Sequence, residues 1–184
     1  MNIFVLDDNP FLAAEMMMDK HVVKMPTESL QMVSTIMDMN GFNSPFKPVM
    51  ANHPCTIWAR ESSFNFNWLI DHTIGLCREY KHRYQKTHKV ETLLSNFKYD
   101  IEEASALLSN RGLTEFAQAM PDEYKNEDAV IAYRTYYLED KWRIASWKFG
   151  SPNWWPNDHI KKKSKEWYDY LNQENKRIRG IKNE

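Results

Sequence analysis

The chain has 184 residues, 42% of them hydrophobic and 14% aromatic, and a formal net charge of -1. That length fits one domain able to bury its own core, and the apolar content excludes wholesale disorder. Two cysteines, Cys55 and Cys77, make neither a disulfide framework nor a C-x-x-C metal site, so a reducing compartment is expected.

No basic-then-apolar leader opens the sequence, and no apolar run approaches a membrane span. Cytoplasmic residence, with no membrane partner, is therefore expected. Residues 3–6, Ile-Phe-Val-Leu, read as a short strand or extended arm. Asn9 and Pro10 then supply an N-cap and a first helical residue, predicting a helix from Phe11 to Asp19. Residues 20–39 predict a second helix. On a helical wheel Val22, Val23, Met25, Leu30, Met32, Val33, Ile36 and Met37 share one half. His21, Lys24, Glu28, Gln31 and Thr35 form a narrow polar stripe on the other. Pro26 is expected to kink or restart this helix. Seven of the ten methionines fall in residues 16–39, which reads as gap-filling packing rather than a metal box.

Gly41, Asn43, Pro45 and Pro48 mark a loop. Asn52-His53-Pro54-Cys55 leads into a helix of about thirty residues carrying Ile57, Trp58, Phe64, Trp68, Leu76 and Tyr80 at helical spacing. Residues 90–108 give one or two further helices, 119–126 a turn and 127–147 another long helix. Gly150 breaks that helix, and Pro152, Trp154, Trp155 and Pro156 form a rigid aromatic loop. A basic amphipathic helix follows, packing through Trp167, Tyr168, Tyr170 and Leu171. The expected fold is all-α: a single helical domain over 1–184, with its core in 1–158 and a basic helix or tail in 159–184.

Three features bear on chemistry. His21 and Glu28 stand two turns apart on one face with Lys24 between them, which suits acid–base work, although an exposed polar face explains the same spacing. His53 sits in a loop beside Pro54, either as a site residue or as a cap. The C-terminal third interleaves Arg134, Lys141, Arg143 and Lys148 with Trp147, Trp154 and Trp155 ahead of Lys161, Lys162 and Lys163. Aromatic platforms beside cations suit unstacked bases, whereas each Trp alone is as well explained by the core. Bases concentrate in 78–98 and 159–184, and acids in 1–40 and 99–128. There is no dinucleotide-binding glycine motif, P-loop, zinc-peptidase motif or serine-nucleophile elbow.

The segment Asp19-Lys20-His21-Val22-Val23-Lys24-Met25-Pro26-Thr27-Glu28 resembles the first helix of the phage-type pyrimidine-dimer DNA glycosylases, the endonuclease V family. There an Asp-Gln-His segment precedes a catalytic Glu at the same spacing. Asn52-His53-Pro54 with Trp58, running on to Cys77-Arg78-Glu79, is similar to small bacterial and phage proteins grouped with that family. The resemblance covers residues 1–86. A looser phage-protein pattern follows at Met120-Pro121, Tyr124-Lys125 and Ala132-Tyr133-Arg134, Tyr136-Tyr137.

The resemblance implies an all-helical enzyme from a phage or bacterium, acting on a damaged or modified pyrimidine in double-stranded DNA. It implies no cofactor and no metal. An N-terminal α-amine, of Met1 or of Asn2 after Met removal, attacks C1′ and forms an imine. Glu28 stabilises the positive charge on the sugar, and His21 lines the same pocket. Lys20 or Lys24 stands in reserve as an amine. Lys24, His53, Arg134, Lys141, Trp154, Trp155, Lys161, Lys162 and Lys163 are the candidate DNA contacts. Thr27 and Gln31 stand where the phage enzymes carry arginines. The alternatives are a non-catalytic phage factor binding DNA or protein on the same scaffold, and an enzyme of modified-nucleotide metabolism. Oligomeric state stays open.

Overall fold

Local punctuation sets the helix boundaries. In the computed structural model, which describes the backbone of residues 1–181 and the side chains of residues 1–178, eight α-helices form and no strand occurs among the described residues. They are α1 (Pro10–Met16), α2 (Asp19–Met39), α3 (Pro54–Arg60), α4 (Ser63–Tyr84), α5 (Lys89–Asn96), α6 (Lys98–Ala106), α7 (Ala129–Glu139) and α8 (His159–Ile181). Asn9 opens α1 by accepting the N–H groups of Phe11 and Leu12. Asp128 does the same for α7 at Val130 and Ile131.

Residues 3–6 form an arm that pairs with no strand among the described residues. Three expectations need correction. The predicted thirty-residue helix is two helices, because the Ser62 hydroxyl accepts the Asn65 N–H at 3.0 Å and starts α4 afresh. The long helix over 127–147 ends at Glu139 and gives way to a 3-10 turn over Lys141–Ile144. α2 runs through Pro26 without restarting. The ring is buried, so packing offsets the missing backbone hydrogen bond.

The two long helices α2 and α4 pack side by side, and α1 lies against α4. Gly75 makes that second crossing possible: a Cβ there would stand 2.9 Å from Ala14 Cβ and 3.4 Å from the Phe11 backbone. Met17, Met18, Met25, Met32 and Met37 are fully or almost fully buried, filling the irregular space around α2.

α8 attaches through its first half. His159 bonds the Leu138 carbonyl at 2.8 Å, Lys163 pairs with Glu139, and the Arg143 guanidinium lies over the Trp167 ring. Its predicted packing face stays largely open, with Trp167 at 40% and Tyr168 at 66% exposure. Amphipathic spacing shows that a helix has an apolar face, not that something covers it. The last three residues of the predicted basic tail lie outside the described residues. Among the described residues, no helix is long and apolar enough to cross a membrane.

Two stability measurements follow from this packing. Gly75→Ala overpacks the α1–α4 crossing and should cost about 1–3 kcal/mol in a denaturant titration. Acid should also unfold the protein early. His72 is fully buried against Trp68, and its pKa is lowered to about 3 by burial; His21 is held at about 3 by burial, with Lys141 and Lys24 adding. An unfolded imidazole binds its proton near 6.5, so between about 6.5 and 3 the unfolded chain holds protons that the native state refuses. Stability is therefore full above that window and declines as pH falls through it, by about 1.4 kcal/mol per pH unit for each imidazole. Thermal melts between pH 7 and 4 should show this slope, and His72→Phe should reduce it.

Candidate active site

The site begins with an N-terminal segment threaded into the core. Ile3, Val5 and Leu6 are completely buried, and Phe4 nearly so. A buried extended segment must find partners for its backbone. The Asn2 carboxamide oxygen accepts the N–H groups of Ile3 at 2.8 Å and Phe4 at 3.2 Å, while its nitrogen donates to the Ala119 carbonyl at 2.8 Å. Arg134 donates to the Leu6 carbonyl at 2.9 Å, and the Trp68 indole donates to Asp8 at 2.7 Å. Phe4 takes the left-handed backbone region at φ 37°, and its ring stacks on His21 with centroids 4.3 Å apart.

This threading delivers Met1 to α2. The Met1 α-amine stands 3.6 Å from Glu28 Oε2, with the Met1 side chain almost wholly buried. Glu28 Oε1 holds Lys24 Nζ at 2.8 Å, one helical turn away. His53 caps α3, its Nδ1 accepting the Cys55 N–H at 3.2 Å. Burial lowers the His53 pKa and the neighbouring α-ammonium lowers it further, while Glu28 pulls it upward. Met1, Glu28, Lys24 and His53 thus share one electrostatic neighbourhood.

His21 belongs to a different layer. It is buried rather than exposed on the polar stripe, and its Nδ1 lies 2.6 Å from the Tyr137 hydroxyl. With its pKa near 3 the imidazole is neutral and braces Phe4. Thr35 also turns inward, bonding Val49, and Val23 faces out instead. Tyr137 and Tyr133 register in the sequence only within the looser phage-protein pattern and the helical spacing of 127–147. Tyr137 holds His21 from 116 residues away, and Tyr133 bonds the Ala117 carbonyl beside the Asn2 anchor. Nothing local in the sequence marks either partnership.

The predicted DNA-contacting residues divide. Arg134 is committed to Leu6, lies 3.7 Å from Asp7 and sits over Trp154. Trp154 donates to the Met16 sulfur, and Trp155 is buried against Trp147. The Trp155 ring therefore offers no free face for a base, correcting the platform expectation there. Lys141 pairs with Asp140 over the Tyr136 ring, Lys162 with Asp158, and Lys163 with Glu139 and Glu166. Lys161 is exposed, with no carboxylate partner among the described residues. His88 meets the Val23 carbonyl at 3.2 Å, and Lys20, Lys24, Lys86 and Lys89 are all exposed.

Neither cysteine is a nucleophile. Burial pushes both thiols up to about 12, so no thiolate forms near neutrality. Among the described residues, no group of three or more His, Cys, Asp or Glu side chains is placed to hold a metal ion.

The family described as pyrimidine dimer DNA glycosylase matches residues 1–92, half of the chain, and that half contains Met1, His21, Lys24, Glu28 and His53. No curated protein and no solved structure matches the chain significantly.

The His21 brace is open to a direct measurement. Tyr137→Phe leaves a buried imidazole nitrogen without its hydroxyl partner and should cost about 1–3 kcal/mol in a denaturant titration. No loss of stability would show that the 2.6 Å contact contributes nothing to holding the N-terminal segment.

Proposed function

The chain belongs to the pyrimidine dimer DNA glycosylase family, and from that premise we propose that it cleaves the N-glycosidic bond of a damaged or modified pyrimidine in double-stranded DNA. The observation that carries this reading is the Met1 α-amine held 3.6 Å from the Glu28 carboxylate. An α-amine is the least basic amine of a polypeptide, and so the best supplied with free lone pairs near neutrality. In its unprotonated form it attacks C1′. The N–C1′ bond forms as the bond to the base breaks, and the base leaves with the electron pair. Glu28 accepts a proton from the attacking nitrogen and stabilises the positive charge of the sugar. Ring opening then gives a protonated imine; water takes a C2′ proton, the C2′–C3′ double bond forms, and the 3′ phosphate leaves with its C–O electron pair, nicking the strand.

The reserve amines are weaker candidates. Lys20 and Lys24 are both exposed, and Lys24 is ion-paired with Glu28. Neither has the burial that would favour a neutral lysine. Exposed Lys20, Lys24, Lys86 and Lys89 support a backbone track beside the site, with Lys161 as an outlying contact.

One observation favours a non-catalytic DNA- or protein-binding role. Thr27 and Gln31 occupy positions where the resembling phage enzymes carry arginines, so two cations near Glu28 are missing. Borohydride reduction in the presence of damaged and modified duplexes separates the readings. The enzyme reading expects a covalent protein–DNA adduct that disappears when the terminus is acetylated. Glu28→Gln should slow base release by roughly 100-fold or more while leaving DNA affinity nearly unchanged. Full base release by Glu28→Gln would refute the role given to that carboxylate.

A further inference from the structure

His53 is held in one tautomer by the helix it caps. Its Nδ1 accepts the Cys55 N–H at 3.2 Å, so that nitrogen cannot also carry a proton. In the neutral ring the proton must then sit on Nε2. Among the described residues, no protein group accepts from Nε2. The carboxylate whose charge reaches this ring is already engaged, with one Glu28 oxygen near Met1 and the other on Lys24. Taking up a second proton would set Nδ1–H against the Cys55 N–H and add a positive charge beside the α-ammonium. His53 is therefore poorly built to act as a base toward the Met1 amine.

Resting on the glycosylase reading, we propose that His53 donates its Nε2–H to a substrate oxygen bearing negative charge, and that the α3 cap fixes the tautomer for this task. Two oxygens have that chemistry: the carbonyl oxygen of the departing pyrimidine and a non-bridging phosphate oxygen beside the reacting nucleotide. The contact is a hydrogen bond. It leaves the bond changes at C1′ as they are and lowers the energy of the charge they create.

Two variants separate the cap from the donor. His53→Asn puts an amide oxygen where Nδ1 stands, and Asn is among the best N-caps, but nothing remains at Nε2. His53→Gln extends an amide nitrogen toward the Nε2 position and gives up the cap. The proposal expects His53→Asn to melt like the parent yet lose roughly 100-fold in single-turnover base release or in DNA affinity. It expects His53→Gln to melt lower yet retain more function than His53→Asn.

A loss in single-turnover rate assigns the base oxygen, and a loss confined to affinity assigns the phosphate. His53→Asn matching the parent in both rate and affinity overturns the proposal. So does a nitrogen-15 spectrum of the parent that shows His53 as imidazolium or as the Nδ1–H tautomer at neutral pH. If the parent traps no DNA in borohydride, the glycosylase reading falls on its own. The tautomer and the affinity comparison still decide the donor role.

Discussion

An extended segment buried inside a helical protein has no ladder to satisfy its backbone, and this chain builds itself around that problem. Residues 3–6 sit in the core without a partner strand. Their polar groups are met from near and far: Asn2, itself anchored on Ala119, folds back on its own neighbours, and Arg134 reaches Leu6 from α7. Each unpaired buried group would cost on the order of 1–3 kcal/mol. The position of the α-amine against Glu28 is the outcome of this set of bonds.

Around that amine the protein keeps charge scarce. His21 and the Cys55 thiol remain neutral across the ordinary pH range because burial penalises their charged forms. The ionised groups in direct contact there are the α-ammonium and Lys24, each on one oxygen of Glu28. A small, partly desolvated triad responds strongly to one added charge, which suits a reaction that places positive charge on a sugar. Compared with the resembling enzymes, Thr27 and Gln31 leave this triad without a cation at either of those two positions of α2.

The helical character was legible because apolar spacing of 3.6 recurs along the chain and alternation does not. The Asn9-Pro10 start was legible for a local reason: the cap and the proline act within one turn. The break at Ser62 was missed because the apolar spacing of Ile57, Phe64 and Trp68 carries straight across it. At the site, the shared helix face marks Glu28 and His21 and the resemblance assigns their roles, but the polar wheel position of His21 points the wrong way. Its burial depends on Phe4 and Tyr137, contacts that no local pattern encodes. The Asn2 anchor was hidden likewise, since its acceptor lies 117 residues away.

Asp19 shows what this architecture asks of biosynthesis. At the start of α2 it receives Arg83 from α4, and also the Ser146 hydroxyl and the Lys148 N–H from the loop after α7. Arg83 lies 64 residues on, but the ties to Ser146 and Lys148, with those between Asn2 and Ala119 and between Leu6 and Arg134, hold the first twenty residues to segments made more than a hundred residues later. A ribosome releases chain from its N-terminus, so the segment carrying the amine emerges first and finds its partners last. Until then its apolar run of Ile3 to Leu6 stays uncovered, and closing loops over that distance carries an entropic cost that local contacts do not. The Met1 amine and the Glu28 carboxylate thus owe their 3.6 Å contact to ties with segments that are made much later.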